Sequence, residues 1–126
     1  MPNLRIAMLS IHTCPLATLG GKETGGMNVY VRDLSRELAS RGHHVDVYTR
    51  SQNSSLARIH TGMGPNARVI HLPAGPEHPY NKHLVYDHLP EFVDGVLAQT
   101  KADTIQYDVL HSHYWLSGVV ARELHQ

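Results

Sequence analysis

The sequence predicts an α/β fold: a Rossmann-like, open and mostly parallel sheet with helices on both faces. Two observations predict it. Short strand-like runs recur along the chain, at residues 4–9, 45–49 and 67–72. Segments whose apolar residues repeat at helical spacing lie between and after these runs. Strands that alternate with helices in this way are typical of doubly wound sheets.

The first strand–helix–strand unit is complete within the first fifty residues. Residues 4–9 form an apolar run typical of a buried strand, and residues 45–49 form the predicted second strand. Arg41-Gly42 indicates the end of the intervening helix, because glycine readily adopts the left-handed conformation found there. The apolar face of this helix is predicted from five residues: Met27, Tyr30, Val31, Leu34 and Leu38.

The middle of the chain predicts a long loop and a third strand. Residues 51–66 are polar and contain glycine and proline, which indicates a surface loop with at most one helical turn at 56–59. Residues 67–72 form the third predicted strand. Because no helix is predicted between strands two and three, the direction of the third strand stays open.

The last third predicts a loop, a helix, a strand and a final helix. Residues 73–85 are rich in proline and glycine and indicate a loop, and Pro90 suits the first turn of a helix. A fourth strand is predicted at 107–111, followed by a helix at 115–124. The apolar face of the helix after Pro90 is predicted from Phe92, Val93, Val96 and Leu97.

Composition limits the possible functions. Lys+Arg 11 against Asp+Glu 11 gives a formal net charge of +0, which disfavours nucleic-acid binding through bulk charge. No stretch approaches the roughly 20 apolar residues of a membrane helix. A single cysteine and the absence of a signal-peptide pattern favour a cytoplasmic protein. The 11 histidines are scattered and lack zinc-site spacing, so no metal is expected.

The glycine-rich stretch before the first helix predicts an anion site. Gly25 and Gly26 have no Cβ to block a ligand, and the unpaired N–H groups and dipole of a helix N-terminus favour negative charge. A phosphate-bearing ligand fits this arrangement. The alternative is an ordinary strand–helix connection whose glycines only permit a turn. Ligands of open parallel sheets bind beyond the carboxyl ends of the strands, so Thr49-Arg50, the loop after Leu72 and residues 111–115 should line the same crevice.

Two common nucleotide-binding patterns fail at this stretch. Gly20-Gly21 and Gly25-Gly26 do not match the G-x-G-x-x-G spacing, and Thr49-Arg50 stands where an acidic residue would hold a ribose. The P-loop pattern fails because Lys22 is followed by Glu23 rather than serine or threonine. The loop is therefore a different kind of phosphate site, or none.

Five sequence pieces, in order and over nearly the whole chain, resemble the N-terminal domain of retaining GT-B glycosyltransferases. Within that family the resemblance is greatest to the enzymes that act on inositol phosphate, with the sucrose-phosphate synthases more distant. The pieces are HTCPL at 12–16, TGGMNVY at 24–30, VDVYTR at 45–50, AGP at 74–76 and YDVLHSHYWLSG at 107–118.

The resemblance implies transfer of a sugar from a UDP-sugar to a phosphorylated polyol or sugar, with retention at the anomeric carbon. The nucleotide sugar is then a substrate, and no cofactor is expected. Gly25, Gly26 and Asn28 match donor-binding positions. The acceptor-binding positions implied by the resemblance are His12, Glu23, Thr24, Met27, Lys82 and Tyr114. No catalytic residue is assigned within the chain.

The resemblance also implies that residues 1–126 are one truncated N-terminal domain, without the family's C-terminal donor-binding domain. We therefore expect the chain to be inactive alone. The alternative is a non-catalytic α/β binding or oligomerisation module derived from the same fold. If the sheet stops at its fourth predicted strand, that strand should be an exposed edge strand, and exposed edge strands can pair with other chains. A homo-oligomer through that edge is expected.

Overall fold

A computed structural model of the chain describes residues 3–11, 26–55, 57–61, 64–78, 82–112 and 114–125. The elements follow the order predicted from the sequence, with one short strand and one short helix added. The strands are β1 Arg5–Leu9, β2 His44–Arg50, β3 Ile59–His60, β4 Ala67–Leu72 and β5 Val109–Ser112. The helices are α1 Gly26–Ser40, α2 Lys82–Val85, α3 Leu89–Asp103 and α4 Tyr114–His125, with a 3₁₀ turn at Tyr86–His88.

The strands of the described residues form one sheet in the order β3-β4-β2-β1-β5. β1 pairs in parallel with β2 and with β5, and β2 pairs in parallel with β4. The third predicted strand, β4, is therefore parallel to its neighbour, although the connection before it contains no described helix. Only β3 runs antiparallel, against β4. The predicted open, mostly parallel sheet is confirmed.

Helices cover both faces of the sheet, as predicted. One buried cluster lies between the sheet and α1 and includes Met8, Val31 and Val47. The other lies between the sheet and the pair α3 and α4 and includes Leu9 and Phe92. Because both faces are covered, β2 is buried from its second residue to its last.

Three boundaries differ from the sequence prediction. The loop at 51–66 contains β3 where a helical turn was predicted, because Ile59 and His60 pair with β4 although both are exposed. The predicted loop at 73–85 ends in α2. The last strand begins at Val109 rather than at residue 107: its pairing with β1 begins there, one residue after Asp108 donates its backbone N–H to the carbonyl of Arg5.

The predicted apolar faces of α1 and α3 are correct in their centres and wrong at one edge each. Val31 and Phe92 are fully buried. Tyr30 is 51% exposed and Leu97 is 52% exposed, so neither belongs to the core. Gly42 has φ +94 at the end of α1, which confirms the predicted glycine C-terminus.

A network of polar side chains crosses the α3 side of the sheet near the amino ends of the strands. Arg68 on β4 donates two hydrogen bonds to Asp46 on β2, at 2.7 and 2.9 Å, and a third to Asp103 at the end of α3, at 3.0 Å. Tyr107 donates to Asp46 at 2.6 Å, and Tyr48 lies 2.7 Å from Tyr107, oxygen to oxygen. The network ties the C-terminus of α3 to two strands.

The chemistry of the network fixes the direction of its hydrogen bonds. Because the single hydroxyl proton of Tyr107 goes to the Asp46 carboxylate, Tyr48 donates its own proton to the Tyr107 oxygen. Burial raises the pKa of Tyr48 to about 12, and burial together with the hydrogen bond to Asp46 raises the pKa of Tyr107 further. The hydrogen bond to Asp46 raises the pKa of Arg68. Both phenols stay protonated and Arg68 stays charged at physiological pH.

The network predicts that Asp46→Asn destabilises the fold. Asp46 is 6% exposed and accepts from two partners, so its loss leaves Arg68 with a poorer acceptor in a partly buried site. We expect a loss of about 2 kcal/mol in the free energy of unfolding, measured by urea denaturation. The matched control is Glu37→Gln, which removes the exposed ion pair with Arg41 and should cost less than about 0.5 kcal/mol. Equal losses in the two variants would contradict this account.

Candidate functional site

The parallel strands bring their carboxyl ends to one edge of the sheet. Hydrogen bonds join the segments that leave the strands there. Ser10 donates its backbone N–H to the carbonyl of Tyr48 at 3.0 Å, and Arg50 donates to that of Ile11 at 3.3 Å. Ser51 donates to the carbonyl of Leu72 at 2.8 Å. Adjoining backbone segments that follow β1, β2 and β4 therefore lie at the edge where the sequence predicts a ligand crevice.

Two long helices begin at this edge. α1 begins at Gly26, on the chain that leaves β1, and α4 begins at Tyr114, two residues after β5 ends. The backbone N–H of Ile11 donates to the Ser117 hydroxyl on α4 at 3.1 Å, and Ser117 is fully buried. This hydrogen bond joins the first turn of α4 to the chain that leaves β1.

The sequence-predicted site residues fall into two groups. Gly26, Met27 and Asn28 form the first turn of α1, Lys82 is the first residue of α2, and Tyr114 is the first residue of α4. All five therefore lie on helices that follow the carboxyl ends of strands, and their side chains are not among those described. His12, Glu23, Thr24 and Gly25 lie outside the described residues.

Arg50, at the carboxyl end of β2, has a role that sequence reasoning missed. Its side chain is buried, with the residue 3% exposed. The guanidinium donates to the carbonyl of Pro76 at 2.6 Å and to the carbonyl of His78 at 2.9 Å. Both carbonyls belong to the β4–α3 loop, which we define as residues 73–88. The sequence does contain a signal for this role of Arg50. A cation at the end of a buried strand needs a hydrogen-bond partner inside the protein.

The base of the β4–α3 loop is closed by a glycine. Gly75 has φ +75, and a Cβ built there would lie 2.6 Å from Cδ2 of His88, at the other end of the loop. The N–H of Gly75 donates to Glu91 Oε1 in the first turn of α3 at 2.8 Å. Positive φ and the close approach of the imidazole both require glycine here. The loop therefore has its two ends together, as compact Ω-loops do.

The outer side of the loop is held by charge. Arg58 lies 2.6 Å from Glu77, measured from Nη1 to Oε1. Hydrogen bonds from Arg58 and then from Ser51 lower the pKa of the Glu77 carboxyl, so it is ionised at neutral pH. In the same region His71 is buried on β4 and donates its backbone N–H to the carbonyl of Arg58 at 2.7 Å. The chain before β3 thus contacts both β4 and the loop that follows β4.

In the described part of the chain, no group of three or more His, Cys, Asp or Glu side chains is placed to hold a metal ion. No described helix is both long and apolar enough to span a bilayer. What the edge does offer is backbone amides at the starts of two long helices and a loop fastened to a buried cation. Backbone amides at the start of a helix can bind an anion, whereas the guanidinium of Arg50 is directed at carbonyls of the loop.

A Rossmann-like sheet with helices on both faces and ligand-binding loops at its carboxyl edge is the architecture of GT-B glycosyltransferase domains. The pattern that defines the "Glycosyl transferase 4-like domain" family matches residues 25–126. The chain belongs to this family.

Relatives and solved structures agree with this assignment. The chain is 45% identical over 123 residues to D-inositol 3-phosphate glycosyltransferase of Corynebacterium diphtheriae, covering 95% of this chain and 28% of that protein. It is 46% identical over 115 residues to the enzyme of the same name from Xylanimonas cellulosilytica, covering 90% and 27%. Sucrose-phosphate synthase from Thermosynechococcus elongatus superposes with a TM-score of 0.91 at 35% identity, covering 98% of this chain and 30% of that one.

The chain spans about 28% of the length of the relatives that it matches. The resemblance predicted from the five sequence pieces is confirmed, both to the inositol-phosphate enzymes and to the more distant sucrose-phosphate synthase. The roles predicted for individual site residues stay predictions.

His71 predicts a pH-dependent stability. Burial lowers the pKa of its imidazole, against the opposing effect of hydrogen bonds to the backbone of Ala57 and Arg58. As the pH falls below about 6.5, the unfolded chain binds a proton at His71 before the folded chain does, so the free energy of unfolding falls. Above that pH both states are neutral and the effect vanishes.

Urea denaturation of the wild type and of His71→Gln between pH 7.5 and 5 checks this prediction. The substitution should reduce the slope of the free energy of unfolding against pH, on the acid side, by up to about 1.4 kcal/mol per pH unit. This is the limit for the binding of one proton. His44→Gln, at an exposed position at the start of β2, is the matched control and should keep the wild-type slope. A wild-type slope in His71→Gln would assign the acid sensitivity to other groups.

Proposed function

We propose that this chain is the acceptor-side domain of a retaining glycosyltransferase, which moves a sugar from a UDP-sugar to a phosphorylated polyol or sugar. The family match over residues 25–126 carries the proposal. The matched region begins at Gly25, within the glycine-rich stretch for which the sequence predicts an anion site. The start of α1 at Gly26, beyond the carboxyl end of β1, supports it.

The donor diphosphate is assigned to the start of α1. Gly25 and Gly26 allow an oxygen to approach the backbone, and the free N–H groups of the first turn favour its negative charge. Asn28 adds a side-chain amide in the same turn. Sugar transfer develops charge on the departing diphosphate, so groups that stabilise this charge lower the barrier. A helix N-terminus does so without side-chain rearrangement.

The phosphorylated acceptor is assigned to the neighbouring segments. Lys82 donates charge-assisted hydrogen bonds to its phosphate, and Tyr114 adds a neutral one. Both begin helices that follow carboxyl ends of the sheet, one after β4 and one after β5. The other acceptor-binding residues in the proposal are His12, Glu23, Thr24 and Met27.

The proposal carries three further expectations from the sequence. The nucleotide sugar is a substrate, so no cofactor is needed. These 126 residues span about 28% of the length of the relatives, so we expect them to be inactive by themselves. The protein acts in the cytoplasm.

Acceptor binding by the chain tests the proposal directly. We expect isothermal titration to detect binding of D-inositol 3-phosphate or a hexose phosphate, and none of the unphosphorylated polyol. Lys82→Met should weaken the binding about tenfold, because one charge-assisted hydrogen bond is lost. The matched control is Lys101→Met, at an exposed position near the end of α3.

Three results would contradict the proposal. They are a wild-type chain that binds none of these phosphates, equal affinities in the Lys82 and Lys101 variants, and turnover of a UDP-sugar by the isolated chain. The first and second would remove the acceptor assignment. The third would remove the need for a second domain.

A second function, self-association through the sheet edge, is favoured by one observation. β5 is the last strand of the described sheet on its side, and Val109 in it is 39% exposed. A strand at the edge of a sheet can pair with a strand of another chain. Light scattering over a hundredfold range of concentration should show the average mass rising above that of a monomer. Val109→Lys should suppress the rise, and a constant monomer mass in the wild type would contradict it.

A further inference from the structure

We propose that residues 57–61, which we name the strap, are held on β4 by the uncharged form of His71, so that protonation of this imidazole releases the strap while the rest of the sheet stays folded. The strap contains β3, and its Arg58 pairs with Glu77 in the β4–α3 loop. Release of the strap therefore changes the carboxyl edge of the sheet in response to pH, without a ligand.

The strap has little to hold it by burial. All five of its residues are exposed, and none belongs to either buried cluster. Its two paired residues, Ile59 and His60, form the shortest of the described strands. Segments with few buried apolar contacts open locally at a lower free energy than the sheet on which they lie. The strap should therefore open before the sheet does.

The strap is attached to β4 at His71. The backbone N–H of His71 donates to the carbonyl of Arg58 at 2.7 Å. Its imidazole is also hydrogen-bonded to the backbone of Ala57. His71 is only 5% exposed, although β4 is paired with the edge strand β3. Because the strap bonds to the imidazole, opening the strap breaks these contacts and gives the imidazole access to water.

The surroundings of His71 disfavour a positive charge on it. Burial lowers the pKa of the imidazole, and the charges of His60 and Arg58 on the strap lower it further. Its register partner on β2 is Thr49, which carries no charge, and α1 packs on this face of the sheet through apolar residues. The carboxylate of Glu77 is paired with Arg58. A proton on His71 therefore adds a second positive charge next to that of Arg58.

The direction of the pH effect follows from the two states of the strap. In the open state the imidazole is in water and binds a proton below about pH 6.5. In the closed state its pKa is lower, so acid favours the open state. Above about pH 6.5 the imidazole is neutral in both states and the strap stays closed. Between the two pKa values, each pH unit should raise the equilibrium constant for opening by at most about tenfold, the limit for one proton.

Amide hydrogen exchange of the whole chain, corrected for the intrinsic effect of pH, tests this proposal. The amide of His71, bonded to Arg58, reports the opening of the strap. The amide of Ser10, bonded to Tyr48 between β1 and β2, reports the opening of the sheet. In urea below the unfolding transition, the His71 amide should be less protected than that of Ser10, and its protection should not depend on urea. Equal protection and equal urea dependence would mean that the strap opens only with the whole sheet, and would overturn the proposal.

His71→Gln tests whether this imidazole is the group that titrates. In the wild type the protection of the His71 amide should fall by up to about tenfold per pH unit below pH 6.5. The protection at position 71 in His71→Gln should not depend on pH, whereas His44→Gln, at an exposed position, is the matched control and should keep the wild-type dependence. A dependence that persists in His71→Gln, or that is missing from the wild type, would overturn the proposal.

The wild type decides if His71→Gln does not fold. Because the closed state predominates, protection should stop falling at the pH at which nuclear magnetic resonance shows the imidazole to be half protonated. A fall that continues past that pH would assign the opening to another group and would overturn the proposal.

Glu77→Gln tests the alternative that the ion pair with Arg58 is the switch. Hydrogen bonds from Arg58 and then from Ser51 lower the pKa of the Glu77 carboxyl, so it stays ionised between pH 7.5 and 5. The substitution should lower the protection of the His71 amide about threefold at every pH and leave its pH dependence unchanged. Loss of the pH dependence in Glu77→Gln would overturn the proposal. These measurements need no ligand, so their outcome is independent of the proposed function.

Discussion

The parallel pairing of β1 with β2 and β5, and of β2 with β4, is the constraint on which the rest of the structure depends. Parallel strands need connections that return across a face of the sheet, so helices cover both faces and nearly all of β2 is buried. The same pairing gathers the carboxyl ends of these strands at one edge. The start of α1 and the β4–α3 loop follow strands that end at this edge, although they are far apart in sequence.

Because β2 is buried on both faces, its polar residues show which other segments the strand is attached to. Asp46 and Arg50 both lie in a strand with no solvent-exposed face, so each needs internal partners. Asp46 finds Arg68, its register partner on β4, near the amino end of the sheet. Arg50 finds loop carbonyls at the carboxyl end. One network attaches α3 to the sheet, and the other attaches the loop that leads into α3.

The sequence predicted the elements whose pattern is set locally. The third predicted strand matches β4 at both ends, because a short run containing Val, Ile and Leu is bounded by Gly64-Pro65 before it and by Pro73 after it. β3 was missed because two exposed residues carry no periodic signal and become a strand only by pairing with β4. The direction of β4 was undecidable because it is set by register with β2. For the site, residue types indicated where phosphate could bind. The partners of Arg50 could not be predicted, because they are backbone carbonyls whose positions are set by the tertiary fold and not by residue spacing.

The two halves of the proposed site would bind phosphate in different ways. At α1 the donors are backbone amides, and their directions are set by the helix itself. On the acceptor side the proposed donor is a lysine at the start of α2, which continues through a 3₁₀ turn into α3 and buries Val85 in the core. Before that turn, the guanidinium of Arg50 holds two carbonyls of the loop, so this part of the loop is attached to the end of β2.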